Sequence, residues 1–179
     1  MNKALYPGSF DPFTVGHLSV LEKAVKVFDE VDIAFSQNPK KKRRYDVDRS
    51  IYALIKFLET KNFYDNKVKV FKSFDFIPAR IAKKAECDYI VRGLRNNMDY
   101  DYEEGLAKFN KEVCPEIETV YFRADKDEVS STMVYSLDQA DIDVNKYLPY
   151  DYLLLKPCSV SLGQIKDFLN HYQETWGKL

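Results

Sequence analysis

Apolar positions along the chain switch repeatedly between two periods. Short runs rich in Val, Ile, Tyr and Phe recur at Lys3–Tyr6, Val31–Phe35, Val68–Phe71, Tyr89–Val91 and Thr119–Phe122, and each reads as a strand. Between them, apolar residues fall three or four apart, as on one face of a helix. Leu18, Leu21, Val25 and Phe28 form one such stripe, and Ile51, Leu54, Ile55 and Leu58 form a second. Ile77, Ile81 and Ala85 suggest a third helix; Tyr102, Leu106 and Phe109 suggest a fourth. Strands alternating with helices predict a parallel sheet with crossover helices, hence an α/β fold. A last helix-period segment carries Leu162, Ile165, Phe168, Leu169 and Trp176. It follows Ser161, which with Gln164 has the spacing of a capping box. This pattern divides the chain into a domain over residues 1–158 and a C-terminal helical extension over 159–179.

A parallel sheet of this kind binds ligands beyond the carboxyl ends of its strands, where the strand order reverses. Two motifs fall at such ends. Tyr6-Pro7-Gly8-Ser9-Phe10-Asp11-Pro12-Phe13-Thr14-Val15-Gly16-His17 follows the first strand, and Arg92-Gly93-Leu94-Arg95 follows the fourth. Both are expected to open on one edge and share a site.

Composition narrows the partners. The 179 residues are 45% hydrophobic and 31% charged, enough apolar material for one core. The net charge of −1 supplies no field for nucleic acid. The basic run Lys40-Lys41-Lys42-Arg43-Arg44 has no accompanying array of aromatic residues, so most of it reads as a solvated loop. No stretch is long and apolar enough to span a bilayer, and no secretory h-region is expected at the N-terminus. Cys87, Cys114 and Cys158 have neither metal nor redox spacing, so reduced thiols in a cytoplasmic protein are expected, with no protein-built metal site.

The first motif points to phosphate chemistry. His17 lies at or near a helix N-terminus, where free N–H groups and the helix dipole favour anions. Gly16 would remove a side chain that could block a phosphate, and Ser9 adds a hydroxyl. Transfer of a nucleotidyl group needs an attacking phosphate and an α-phosphate held in line, with donors aimed at the charge that builds. His17 therefore reads as a transition-state donor rather than a nucleophile. Arg92 and Arg95 straddle Gly93 with guanidinium forks suited to phosphate. Ser130-Ser131-Thr132 offers hydroxyls and helix-start N–H groups. Glu103 near phosphates must meet a ribose hydroxyl, a metal-bound water or an arginine.

These residues resemble the HxGH nucleotidyltransferases, with Thr14 at the first position of that motif. The blocks Tyr6–His17, Ile90–Arg95 and Asp99–Glu103, extended by Pro115–Val120, most resemble the bacterial phosphopantetheine adenylyltransferases. The resemblance runs from about Lys3 to Leu155 and implies a Rossmann-like three-layer fold. It implies an enzyme that joins ATP and 4′-phosphopantetheine into dephospho-coenzyme A and pyrophosphate, with Mg2+ bridging ATP phosphates. It further implies a homo-oligomer, commonly a hexamer, and admits coenzyme A as a feedback inhibitor. By position, His17, Lys41 and Arg92 are implied as catalytic. Ser9, Phe10, His17, Gly93, Leu94, Arg95, Glu103, Ser130, Ser131 and Thr132 are implied as ATP contacts. Ser9, Lys41, Pro78 and Arg92 are implied at the acceptor. Lys42 stands one register from Lys41, and a gap would move Pro78 to Ile77. The loop Arg123–Val129 is shorter and more charged than is usual in the family. Nicotinamide-nucleotide adenylyltransferases and glycerol-phosphate cytidylyltransferases share the first motif. The arginine the former place after the Ser-Thr turn has no counterpart in Met133-Val134-Tyr135-Ser136, and Asp127–Thr132 only partly matches the latter. A non-catalytic nucleotide or coenzyme A sensor would be expected to have lost its catalytic donors.

Overall fold

The computed structural model describes residues 1–36, 42–61, 67–157 and 159–176; Lys41, Cys158 and the side chain of Trp176 lie outside the described positions. Five parallel strands, β1 (Lys3–Gly8), β2 (Glu30–Ser36), β3 (Val68–Ser73), β4 (Tyr89–Leu94) and β5 (Glu118–Arg123), form one sheet in the order β3-β2-β1-β4-β5. The chain builds outward from β1 to β3, then crosses back to place β4 on the other side of β1. β1 pairs with β2 along its whole length, from Lys3↔Glu30 to Gly8↔Phe35. It pairs with β4 only at Ala4↔Tyr89 and Leu5↔Ile90, although both strands run on. The reversal of strand order thus leaves a crevice between the carboxyl ends of β1 and β4.

Helices cover both faces, which is why the strands carry apolar residues on both sides. Ala4, Tyr6, Val31, Ile33, Phe35 and Val91 face a core that includes Leu21 and Val25 of α1 (Val15–Val27) and Ile51, Leu54 and Leu58 of α2 (Val47–Glu59). Leu5, Ala34 and Ile90 face a second core with Ala79, Ile81 and Ala82 of α3 (Pro78–Lys84). The result is the three-layer α/β fold expected from the alternation. Cys87 and Cys114 are buried in the second core, and burial pushes the Cys87 thiol up to about 12, so it stays protonated.

One predicted stripe behaves differently. Helix α4 (Asn97–Val113) forms, but Tyr102 is 67% and Phe109 46% exposed. The buried side chains of α4 include two polar ones, Glu103 and Asn110. Asn110 Oδ1 accepts the backbone N–H of Ala79 at 3.3 Å, which ties α4 to the start of α3. Glu103 turns toward β4, as described below. Apolar spacing identified the helix and misidentified its inner face, because the groups that α4 must meet are polar.

Helix α5 (Ser131–Gln139) is followed by two 3-10 turns at Asn145–Tyr147 and Tyr152–Leu155, then by α6 (Leu162–Trp176). The Ser161–Gln164 capping box is formed, with both reciprocal bonds at 3.2 Å. Ile165 is fully buried, Phe168 packs edge-on against Tyr52 of α2 at 5.1 Å, and the Tyr172 hydroxyl accepts the Val70 N–H at 3.3 Å. Arg49 of α2, 4% exposed, donates to the carbonyls of Lys156, Pro157 and Val160 and anchors the approach to α6. No helix among the described residues is long and apolar enough to cross a membrane.

Candidate active site

A cleft of about 370 Å³ opens at the crevice between β1 and β4. Its walls bring together residues far apart in sequence. Ser9, Phe10 and His17 come from the first motif, Arg92, Gly93 and Arg95 from the end of β4, Glu103 from α4, and Ser130, Ser131 and Thr132 from the start of α5. Leu94 closes β4 without lining the cleft, and Pro78 opens α3 away from it.

The spacing Thr14-x-x-His17 is a capping box in which histidine takes the place of the usual Glu or Gln. Thr14 is the N-cap of α1, and its backbone N–H donates to His17 Nδ1 at 3.0 Å. The Thr14 hydroxyl lies at the same distance from Nδ1. A ring nitrogen that accepts a backbone N–H has no proton, so the proton of neutral His17 sits on Nε2. Burial, with Arg95 and Arg92 nearby, lowers the His17 pKa from 6.5 to about 4. The cap thus delivers a neutral imidazole whose remaining N–H is available as a donor. Phe10 and Phe13 pack against the ring, with centroids 5.1 and 5.4 Å away, and hold its plane. Phe10 is itself buried in the core beneath the cleft.

Both arginine forks hold carboxylates. Arg92 donates through Nε and Nη2 to the two oxygens of Glu103, each at 2.6 Å, and through Nη1 to the Pro7 carbonyl at 2.9 Å. Of the partners open to Glu103, an arginine is the one present. This arrangement bridges β4, β1 and α4 across the crevice and leaves two guanidinium N–H groups uncommitted. Arg95 donates through Nε and Nη2 to Asp99, one turn along at the start of α4, at 2.9 and 3.2 Å.

The opposite wall is the start of α5. Ser130 is the N-cap, and its hydroxyl accepts the Met133 N–H at 3.1 Å. The Ser131 hydroxyl donates to the Pro12 carbonyl at 2.8 Å and fastens this helix to the first motif. The backbone N–H groups of Ser131 and Thr132 bond no acceptor among the described residues, so they remain free at a helix N-terminus.

Two glycines serve as close packing contacts, Gly16 in contrast to the expectation that it clears a path for phosphate. A Cβ on Gly16 would stand 3.1 Å from the Lys126 carbonyl and 3.2 Å from that of Val129, so Gly16 admits the Lys126–Val129 backbone against α1. A Cβ on Gly93 would stand 2.9 Å from Val20 Cγ2, so Gly93 lets α1 pack closely on β4. Val20, Gly93, Ala124 and Val129 together make an apolar end to the cleft.

Several participants had no local signal in the sequence. Asp11 accepts the N–H groups of Arg44 and Tyr45 at 2.8 and 2.9 Å, and fixes the end of the basic run beside the first motif. Arg43 is largely buried and donates to the carbonyls of Ser9 at 2.7 Å and Phe10 at 3.5 Å. It is a structural clamp rather than a solvated charge. Asp99 and Tyr102 also line the cleft. The Arg95–Asp99 pair is local in sequence, with Arg95 just before α4 and Asp99 in its first turn. Nothing local could have suggested the partners of Asp11.

The Cytidylyltransferase-like family pattern matches residues 5–136. Curated relatives named phosphopantetheine adenylyltransferase include one from Buchnera aphidicola subsp. Acyrthosiphon pisum, 37% identical over 153 residues, covering 83% of this chain and 90% of the relative. Another, from Cytophaga hutchinsonii, is 35% identical over 150 residues, covering 82% and 96%. Among solved structures, a bifunctional NMN adenylyltransferase/ADP ribose pyrophosphatase from Francisella tularensis superposes with a TM-score of 0.66 at 14% identity, over 98% of this chain and 56% of that one. Plasmodium falciparum nicotinic acid mononucleotide adenylyltransferase gives 0.58 at 14% identity, over 96% and 97%. At that identity the structures speak to the fold alone, whereas the sequence relatives are similar across the domain that builds the cleft. The chain belongs to the cytidylyltransferase-like family and, within it, to the phosphopantetheine adenylyltransferases.

Proposed function

We propose that the protein transfers the adenylyl group of ATP to the phosphate of 4′-phosphopantetheine, giving dephospho-coenzyme A and pyrophosphate. The observation that carries the chemistry is the neutral His17, with a fixed Nε2–H donor, facing Arg92 and the free N–H groups of α5 across one cleft. The acceptor phosphate is already ionised, so no protein base is required. One of its oxygens forms the new bond to the α-phosphorus while the bond to the bridging β-phosphate oxygen breaks, and pyrophosphate leaves. His17 Nε2–H donates to the α-phosphate oxygens as their charge rises, and the start of α5 receives the leaving phosphates. Arg92, oriented by Glu103, keeps two donors for the acceptor phosphate, and Lys41 joins it there by resemblance. Ser9, Phe10, Gly93, Arg95 and Glu103, which line the cleft, complete the proposed ATP contacts; Leu94 at ATP and Pro78 at the acceptor rest on the resemblance alone, since neither lines the cleft.

Mg2+ fits as an ion carried by ATP. The carboxylates of the cleft, Asp99 and Glu103, are held by arginines, and no group of three or more metal-ligating side chains occurs among the described residues. Carried in with ATP, Mg2+ would neutralise charge on the leaving group. The reading extends to a cytoplasmic homo-oligomer, a hexamer by resemblance, subject to coenzyme A feedback. The exposed side chains of Phe74, Phe76, Met98 and Tyr102 favour burial in such an assembly.

The test is pyrophosphate release from ATP and Mg2+ with 4′-phosphopantetheine or nicotinamide mononucleotide, and from CTP with glycerol phosphate. Release with 4′-phosphopantetheine alone is expected. Release only with another acceptor would replace the reading by that enzyme.

A further inference from the structure

The basic run ends on a side chain that the roles above leave unused. Arg44 Nη2 donates to Thr132 Oγ1 at 3.1 Å, and its guanidinium lies over the Tyr135 ring, 4.9 Å from the centroid. Thr132 lines the cleft and belongs to the first turn of α5, where the N–H groups of Ser131 and Thr132 are free. The backbone of Arg44 is fixed independently, since its N–H donates to Asp11 Oδ2 at 2.8 Å. Its neighbour Arg43 is turned the other way, onto the Ser9 and Phe10 carbonyls. Arg92 and Arg95, which line the cleft, each hold a carboxylate. Among the described residues, Arg44 has no carboxylate partner, and most of its five N–H donors remain open.

A guanidinium steadied by a hydroxyl and a ring, next to free helix-start N–H groups, is a built half-site for a polyphosphate. We infer that Arg44 grips the terminal phosphates of the bound nucleoside triphosphate and then the pyrophosphate that leaves. It would thereby select a triphosphate over a monophosphate. Tyr135 holds the guanidinium plane from below, while Thr132 sets its distance from α5. The inference rests on the proposed adenylyl transfer only in naming ATP; its physical claim is a polyphosphate subsite.

The experiment compares the full-length protein with Arg44→Gln and Arg44→Lys, measuring calorimetric binding of ATP, AMP and inorganic pyrophosphate. For Arg44→Gln, ATP and pyrophosphate should bind about 10- to 100-fold more weakly, the usual effect of losing a charged hydrogen bond, with AMP unchanged. Arg44→Lys should fall between, since a point charge replaces a fork. Arg44 is exposed, so both variants are expected to keep the wild-type melting temperature. Unchanged pyrophosphate binding, an equal loss for AMP, or no pyrophosphate binding by the wild type would overturn the inference. If the wild type released no pyrophosphate with 4′-phosphopantetheine yet lost pyrophosphate affinity in Arg44→Gln, the acceptor reading would fail and this one would stand.

Discussion

Replacing His17 with Ala removes one donor and tests the central claim about the cleft. His17 Nδ1 is occupied by the Thr14 N–H, so only Nε2–H is left to donate into the cleft. A preorganised donor to an oxygen that gains charge in the transition state contributes about 3–4 kcal/mol, or about 10²–10³ in kcat. The same donor meets less charge on bound ATP, so the dissociation constant should move by less than about threefold. Stopped-flow pyrophosphate release and calorimetric ATP binding read the two quantities separately. The protonation state gives a second reading. Because the folded pKa is about 4, below the ordinary 6.5, the fold favours the neutral ring. The associated stability is fully present above about pH 6.5 and is lost as pH falls through about 4. The full shift corresponds to about 3 kcal/mol, reduced by solvent because His17 is only half-buried in the open cleft. Activity should therefore show no His17 limb between pH 6 and 8, and 15N spectra at pH 7 should show the proton on Nε2. A proton on Nδ1, or equal losses of ATP affinity and turnover in His17→Ala, would refute the reasoning.

Three further outcomes follow from the packing. Glu103→Gln leaves Arg92 with a weakened partner at 22% side-chain exposure. Stability should fall by about 2–3 kcal/mol, lowering Tm by about 4–12 °C by calorimetry; an unchanged Tm would mean that solvent already satisfies Arg92. Gly93→Val forces side-chain atoms into Val20 and should cost about 1–3 kcal/mol while raising the KM for ATP. Adding Val20→Ala should recover part of both losses, and strictly additive effects would rule out the contact. Arg49→Met strands three carbonyls at the approach to α6, so stability should drop by about 2–3 kcal/mol. Limited proteolysis should then cut near residue 160 before the rest of the chain; resistance equal to wild type would show that the α2–α6 packing suffices.

The alternation of two apolar periods determined the α/β class, all five strands and the positions of the first four helices. That information is local, because period 2 and period 3.6 are properties of neighbouring residues. The Ser161–Gln164 cap and the start of α1 were legible for the same reason. The first motif and Arg92–Arg95 could be assigned to one edge because parallel strands all end on one side. What each polar group meets was decided only by the tertiary structure. Glu103 and Arg92 lie eleven residues apart, and Arg44 and Thr132 lie eighty-eight apart. Spacing along the chain carries no record of such pairs. The inner face of α4 was misread for that reason, since a stripe rule assumes that what is buried is apolar. Gly16 looked like cleared ground for phosphate, and only the approach of Lys126–Val129 showed it to be a packing contact. The sequence determined that a phosphate-handling edge exists; the sheet order and the side-chain contacts across it decided which groups remain free to act.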